Sequence, residues 1–273
     1  MKILILYYSG AGTTKFIASL IENELIQRGH NVKSIRITEQ NINSLTDDFD
    51  MLYLGFPIYF RDAPELVYKV FEKISGKNRP VMMFFSRGLY SGNAFKNIHR
   101  VSTDKEFVPI GYLKLLMPGA DFLTSTVKAG SFSERLYTSI HSKNIREKIK
   151  KNADKAMKNK EIKTVHAKWY TFFDEQILKK LEIKANNAYK DWIKDFSADT
   201  EKCIQCMKCV NGCPRNNIKY VDKILFGTNC DVCLYCISNC SKTAINISQK
   251  TIGKTRYSEE KIKQVFKHEL SSF

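Results

Sequence analysis

The residues with the clearest chemical pattern are the cysteines. All eight lie between positions 203 and 240. Cys203, Cys206, Cys209 and Cys213 are spaced C-x2-C-x2-C-x3-C and precede Pro214. Cys230, Cys233, Cys236 and Cys240 repeat that spacing before Ser241. Each cysteine of the second run lies 27 residues after its counterpart, and the register continues, Ile218 matching Ile245 and Tyr220 matching Ile247. A repeat this regular is one supersecondary unit used twice. Three thiolates on a tight loop, with a fourth from elsewhere, is the ligation pattern of a [4Fe–4S] cluster. The loop aims three sulfurs at three irons of a cube, and the fourth iron faces outward toward the other repeat. The spacing therefore assigns Cys203, Cys206, Cys209 and Cys240 to one cluster, and Cys230, Cys233, Cys236 and Cys213 to a second. Pro214 stops the local helix as Cys213 crosses over. Two readings compete weakly. Disulfides are rare in a reducing cytoplasm, and zinc more often takes two close pairs than two close triplets. No cysteine is left over for nucleophilic catalysis.

Over about residues 198–249 this pattern resembles the bacterial two-cluster ferredoxins. That family commonly has glycine beside the second cysteine, whereas the neighbours here are Gln205 and Met207. The resemblance implies two [4Fe–4S] clusters and an electron-transfer role.

A second candidate site lies near the N-terminus. The apolar run Lys2–Tyr8 leads into Ser9-Gly10-Ala11-Gly12-Thr13-Thr14, and Phe16, Ile17, Leu20, Ile21 and Leu25 then recur at helical spacing up to Gly29. A strand entering a small-residue loop that opens a helix aims backbone N–H groups and the positive helix end at an anion. The Gly-x-Gly-x-x-Gly fingerprint of a nicotinamide site is absent, since Lys15 holds the third position.

Elements that could position these groups follow in an α/β rhythm. Asn31–Ile37, Asp50–Phe56, Pro80–Phe85 and Phe107–Leu116 read as further buried strands. Glu65–Ile74 and a stretch from about Gly92 read as helices. Such alternation predicts a five-stranded, doubly wound parallel sheet covered on both faces. Ligands of these sheets sit at the carboxyl ends of the strands, where the loops Ser9–Thr14, Pro57–Asp62 and Ser86–Asn93 fall.

In order and spacing the three loops, and residues 1–160 generally, resemble flavodoxins. That family holds FMN phosphate in a Ser/Thr-x-Thr-Gly-x-Thr loop. Ser9, Gly12 and Thr14 match it, and Ala11 stands where a threonine is usual. By this resemblance Ser9, Gly10, Ala11, Gly12, Thr13 and Thr14 would take the phosphate, and Pro57, Tyr59 and Phe60 would cover a flavin face. Ser86, Arg87, Gly88, Tyr90 and Gly92 would meet the pyrimidine edge. A cation such as Arg87 there would favour the anionic hydroquinone.

Between the two units, residues 132–197 contain no proline and read as lysine-rich helix. Trp169, Phe173, Ile177, Leu181 and Ala185 recur every four residues, and Tyr189, Trp192 and Phe196 continue the stripe. This is the expected packing face of a helical connector, 161–197, between a unit at 1–160 and one at 198–249. A final helix is expected over Glu259–Leu270, within a tail at 250–273. The five histidines are scattered and form no metal or triad constellation.

The charge balance is basic, with 44 Lys and Arg against 28 Asp and Glu, a net +16. Residues 143–194 carry 15 of those cations and 7 of the anions, half of the excess. Such a stretch is either a solvated helical face or a docking surface for an acidic partner, with Lys148, Lys151, Lys155 and Lys158 as contributors. No nucleic-acid motif accompanies it. Mean hydropathy is −0.32, and no apolar run approaches the roughly 18 residues of a membrane span. The first residues are too short for a signal h-region, so a cytoplasmic location is expected. Two accessible cubanes fit anaerobic life.

The whole chain resembles the flavodoxin–ferredoxin fusion proteins of anaerobes. The resemblance implies electron transfer between FMN, two [4Fe–4S] clusters and redox partner proteins. Two alternatives remain: an FMN-dependent reductase of a small acceptor such as a quinone or NAD(P)H, and a cluster-carrying docking module whose flavodoxin-like unit has lost FMN.

Overall fold

The computed structural model describes residues 1–59, 62–87, 94–139, 143–158, 160–162 and 191–270. Five strands form one sheet: β1 (Lys2–Tyr7), β2 (Asn31–Arg36), β3 (Met51–Pro57), β4 (Pro80–Arg87) and β5 (Val108–Leu116). Their order is β2-β1-β3-β4-β5, and every pairing is parallel. The expected doubly wound sheet is present.

Side chains alternate between its faces, as strand geometry requires. Ile3, Ile5, Met51, Tyr53, Met82 and Phe84 join one core with α1 (Thr13–Gln27) and α6 (Ile145–Met157). Leu4, Leu6, Leu52, Leu54, Val81, Met83 and Phe85 join the other with α2 (Glu65–Lys73) and α3 (Ala94–Asp104). With both faces covered, the strands need no polar side, which is why they read as continuous apolar runs. Two short helices, α4 (Ala120–Ser125) and α5 (Phe132–Ser139), follow β5. Strand order reverses between β1 and β3, so the loops after these strands flank one crevice.

The cysteine unit is built from two copies of strand, cysteine loop, short helix, strand. The first copy is β6 (Phe196–Ala198), α7 (Lys208–Gly212) and β7 (Ile218–Tyr220). The second is β8 (Ile224–Phe226), α8 (Tyr235–Ser238) and β9 (Ile245–Ile247). β6 pairs antiparallel with β9, and β7 with β8. The repeat thus closes on itself around Ile218, Ile224, Val232, Leu234, Ile237, Ile245 and Ile247.

Two expectations change in detail. Phe196 belongs to strand β6 rather than to a helical stripe, because Phe196–Ala198 finds its ladder partner in β9. Trp192 packs against the cysteine unit's core. The stripe positions Trp169, Phe173, Ile177, Leu181, Ala185 and Tyr189 lie outside the described residues.

The expected final helix is two helices, α9 (Glu259–Val265) and α10 (Lys267–Leu270). The break falls at Phe266, whose ring stacks on Phe16 of α1 at 5.5 Å. Tyr257, Ile262 and Phe266 are all buried in the first unit's core. The tail therefore completes the first unit's packing after the chain has built the second. Glu269 completes the tie: its carboxylate accepts from the Ile145 and Arg146 N–H groups at 2.8 and 3.1 Å, capping α6. Among the described residues no helix is long and apolar enough to cross a membrane.

Candidate redox site

The two cysteine loops share one backbone design. Gln205 and Val232 have φ of 54° and 49°, and Met207 and Leu234 have 57° and 60°. Asn216 and Thr243, 27 residues apart, have 50° and 49°. These are left-handed conformations that non-glycine residues seldom adopt. Gln205 and Met207 thus fold as the loop requires without glycine. The fourth cysteine of each run is held in the same way in both copies: Asn217 N–H donates to Cys213 Sγ at 3.4 Å, and Ala244 N–H to Cys240 Sγ at 3.3 Å. Such N–H···S bonds stabilise a thiolate.

One small cavity is lined by Cys203, Cys206 and Cys209 together with Cys240. The thiols of Cys230, Cys233 and Cys236 each feel Cys213 electrostatically. Cys240 thus lies with Cys203, Cys206 and Cys209, and Cys213 lies near enough to act on the thiols of Cys230, Cys233 and Cys236. Among the described residues, no three His, Cys, Asp or Glu side chains close around a point as a single metal ion requires. A cubane spreads its four thiolates over the corners of a cube and does not need them to. The donor set is all thiol, which fits [4Fe–4S] ligation. Burial pushes the Cys230 thiol up to about 11 and the Cys233 thiol up to about 12. Without iron these groups are protonated at neutral pH, so a cluster bound there would release their protons.

The two sets differ in surroundings. Cys206 is exposed, with Ile204 beside it 58% exposed. Cys236 is buried, and Cys233 packs against the core of the first unit. The second loop sits on the carboxyl ends of β1 and β3, over the Ser9–Thr14 loop. Tyr8 Oη donates to Asp231 at 2.8 Å. Arg36 donates to the carbonyls of Ser9 and Gly212, at 2.8 and 2.9 Å, and lies 4.8 Å over the Tyr235 ring. Arg215, only 7% exposed, pairs with Glu65 at 2.9 Å and Glu39 at 3.2 Å from the first unit, and with Asp231 at 3.6 Å from its own.

The Ser9–Thr14 loop is filled by the chain itself. A Cβ on Gly10 would collide with the Cys233 carbonyl and the Tyr59 hydroxyl, and one on Gly12 would lie 2.7 Å from Glu259 Cγ. Asn239 donates to the Ala11 carbonyl at 3.4 Å and accepts from Glu259 N–H at 3.2 Å. Glu259 pairs with Lys15 at 2.7 Å. Thr14 and Ser86 share their hydroxyls at 2.8 Å, and Ser9 Oγ accepts from Lys15 N–H at 3.2 Å. Ser9 is 1% exposed and Ala11 5%. The loop geometry expected for an anion is there, and so is the positive end of α1. With the units docked in this way, Glu259, Asn239 and the Cys233 loop lie against the cradle. Pro57 and Tyr59 line the same crevice, Tyr59 edge-on to Tyr8 at 6.2 Å between ring centres. Ser86 is brought to the loop and Arg87 ends β4. Phe60, Gly88, Tyr90 and Gly92 lie outside the described residues. Sequence reasoning missed Arg36, Arg215, Asn239 and Glu259. Ala11 was the one local signal, a small residue where the cysteine unit comes close.

Because Gly10 meets backbone on one side, its neighbour cannot rotate away. Gly10→Ala is expected to lower stability by about 1–3 kcal/mol through overpacking. Chemical denaturation measures this, and wild-type stability would show that the units do not dock there.

Parts of this chain are similar to known proteins. A 4Fe-4S binding domain family matches residues 197–219. A flavodoxin of Clostridium beijerinckii is 33% identical over 94 residues, which is 32% of this chain and 66% of that protein's length. Among solved structures, oxidised flavodoxin 2 from Bacillus cereus aligns over 59% of this chain and 100% of its own at 19% identity, with a TM-score of 0.43. Flavodoxin from Megasphaera elsdenii, in its two-electron reduced form, aligns over 41% and 84% at 25% identity, with a TM-score of 0.35. The chain joins a flavodoxin-like unit to a 4Fe–4S unit, as flavodoxin–ferredoxin fusions do.

Proposed function

We propose that this chain is an electron-transfer protein whose carriers are two [4Fe–4S] clusters mounted on a flavodoxin-like unit. The observation that carries the reading is the meeting of Cys240 with Cys203, Cys206 and Cys209 around one cavity. Cys213 would complete the second set with Cys230, Cys233 and Cys236. A bound cluster supplies reversible one-electron chemistry at a potential set by its surroundings. The chain's own residues do the rest. The left-handed positions aim the sulfurs, and the Asn217 and Ala244 N–H groups hold the crossing thiolates. Arg36 and Arg215 fix the second set against the first unit, away from water. The first set, with exposed Cys206, is the one an outside protein can approach. An acidic redox partner suits the basic chain, and Lys148, Lys151, Lys155 and Lys158 stand exposed along α6 for it.

A second reading keeps FMN as a third carrier. It is favoured by the flavodoxin relative and by the strand, small-residue loop and helix that open the chain. FMN would then be held by the three loops named from the sequence, with Glu259, Asn239 and the Cys233 loop beside Ser9–Thr14.

Anaerobic purification with iron, sulfide and flavin quantification tests both readings. About eight irons and eight sulfides per chain are expected from the ligand count. Four irons would overturn the two-cluster reading. One FMN per chain would establish the second reading.

A further inference from the structure

The tail that returns from the cysteine unit to α1 places an arginine against the backbone of the second cysteine repeat, on either side of Cys240. Arg256 Nη1 donates to the carbonyls of Ile245, at 3.1 Å, and Ile237, at 3.4 Å. Its Nη2 donates to Asn246 Oδ1 at 2.6 Å. Asn246 is itself anchored: its Oδ1 accepts from Thr251 Oγ1 at 3.0 Å, and its Nδ2 donates to the Thr243 carbonyl at 3.2 Å. The guanidinium is therefore held in place rather than free to swing.

Its position in the chain is what matters. Ile237 follows Cys236, a ligand of the second set. Ala244, whose N–H holds Cys240 of the first set, precedes Ile245. Both thiols act electrostatically on Arg256. Among the described residues no carboxylate pairs with this guanidinium, in contrast to Arg215 and its three. An arginine side chain stays charged, and a half-buried charge acts over longer distances than an exposed one. Each cluster gains one negative charge on reduction, so a fixed cation beside both stabilises both reduced forms.

We propose that Arg256 sets the potentials of the two clusters together, holding both higher than the cysteine unit would hold them alone. It acts through charge and does not ligate iron, so it is a positioning residue rather than a catalytic one. The first unit's packing of Tyr257 and Ile262 keeps it there. The tail thereby links the fold of one unit to the redox chemistry of the other. The inference rests on the two-cluster reading.

The test is a spectroscopically monitored redox titration of the full chain, purified anaerobically, as wild type, R256K and R256Q. In R256Q both midpoints should fall, by about tenfold in the reduction equilibrium constant, or about 59 mV for a one-electron couple. R256K keeps the charge and should stay close to wild type. Unchanged midpoints in R256Q with full iron content would overturn the proposal, as would a fall equally large in R256K. Should R256Q lose iron, N246A keeps the charge but releases the guanidinium. Both midpoints must still fall in it, and unchanged values there would overturn the proposal too. Failure of the two-cluster reading is seen separately, as four irons and one midpoint in the wild type.

Discussion

Cys240→Ala is expected to strip the cluster held by Cys203, Cys206 and Cys209, some thirty residues upstream, and to spare the cluster beside its own neighbours. The reason is the crossing of the chain. After Cys236 the short helix α8 turns Cys240 away from its own loop and into the cavity of the other. Removing one thiolate of four leaves an iron without its protein ligand, and a cubane with a lost corner ligand is open to solvent and to iron loss. Iron should drop from about eight per chain toward about four. The mirror variant, Cys213→Ala, should do the opposite and strip the set at Cys230, Cys233 and Cys236. Electron paramagnetic resonance of the reduced variants distinguishes the two, because the exposed set at Cys206 and the buried set at Cys236 have different surroundings. If Cys240→Ala damaged only the Cys230 set, the crossed assignment would be wrong.

Arg215→Met is expected to be the most damaging change among residues that are not ligands. Its guanidinium is 7% exposed and meets Glu39, Glu65 and Asp231, with Asn229 bonding it as well. Methionine fills a similar volume but leaves three carboxylates facing one another without their cation. Breaking a buried ion pair by removing one partner costs about 3–5 kcal/mol. Part of this is offset here, because Glu65 is 59% exposed and Lys69 also pairs with Glu39 and Glu65. Asp231 has no such relief: burial already raises its pKa, and Arg215 is the cation that opposes this. The loss should therefore show as separation of the units, measured as a fall in the denaturation midpoint together with faster proteolysis between them. Asp231→Asn in the Arg215→Met background should recover part of it. A variant as stable as wild type would show that the network is only incidental to docking.

What the sequence determined by itself was everything governed by local spacing. Apolar runs of strand length between helical periods specify a parallel sheet, because strands covered on both faces need no polar side. The strand limits read from Lys2, Asn31, Pro80 and the neighbourhood of Asp50 and Phe107 match the observed β1 to β5 within one or two residues. The proposed crossing of Cys213 and Cys240 comes from the cysteine spacing with its 27-residue offset, since the loop between thiols limits which sulfurs can reach one cube. Only the tertiary structure decided how the halves meet. Arg36 and Gly212 are 176 residues apart, and Tyr8 and Asp231 are 223 apart. No periodicity within either segment encodes such contacts, because they depend on the shape of two finished surfaces. The tail shows the same limit. Its apolar spacing predicted a helix, but its covering of α1 with Ile262 and Phe266, its placing of Glu259 at Gly12, and its delivery of Arg256 to the Ile237 and Ile245 carbonyls follow only from where the second unit leaves the chain. The Ser9–Thr14 loop has the local form of an anion cradle, since backbone N–H groups at a helix start always point outward. What stands in front of those groups is a property of the assembled molecule.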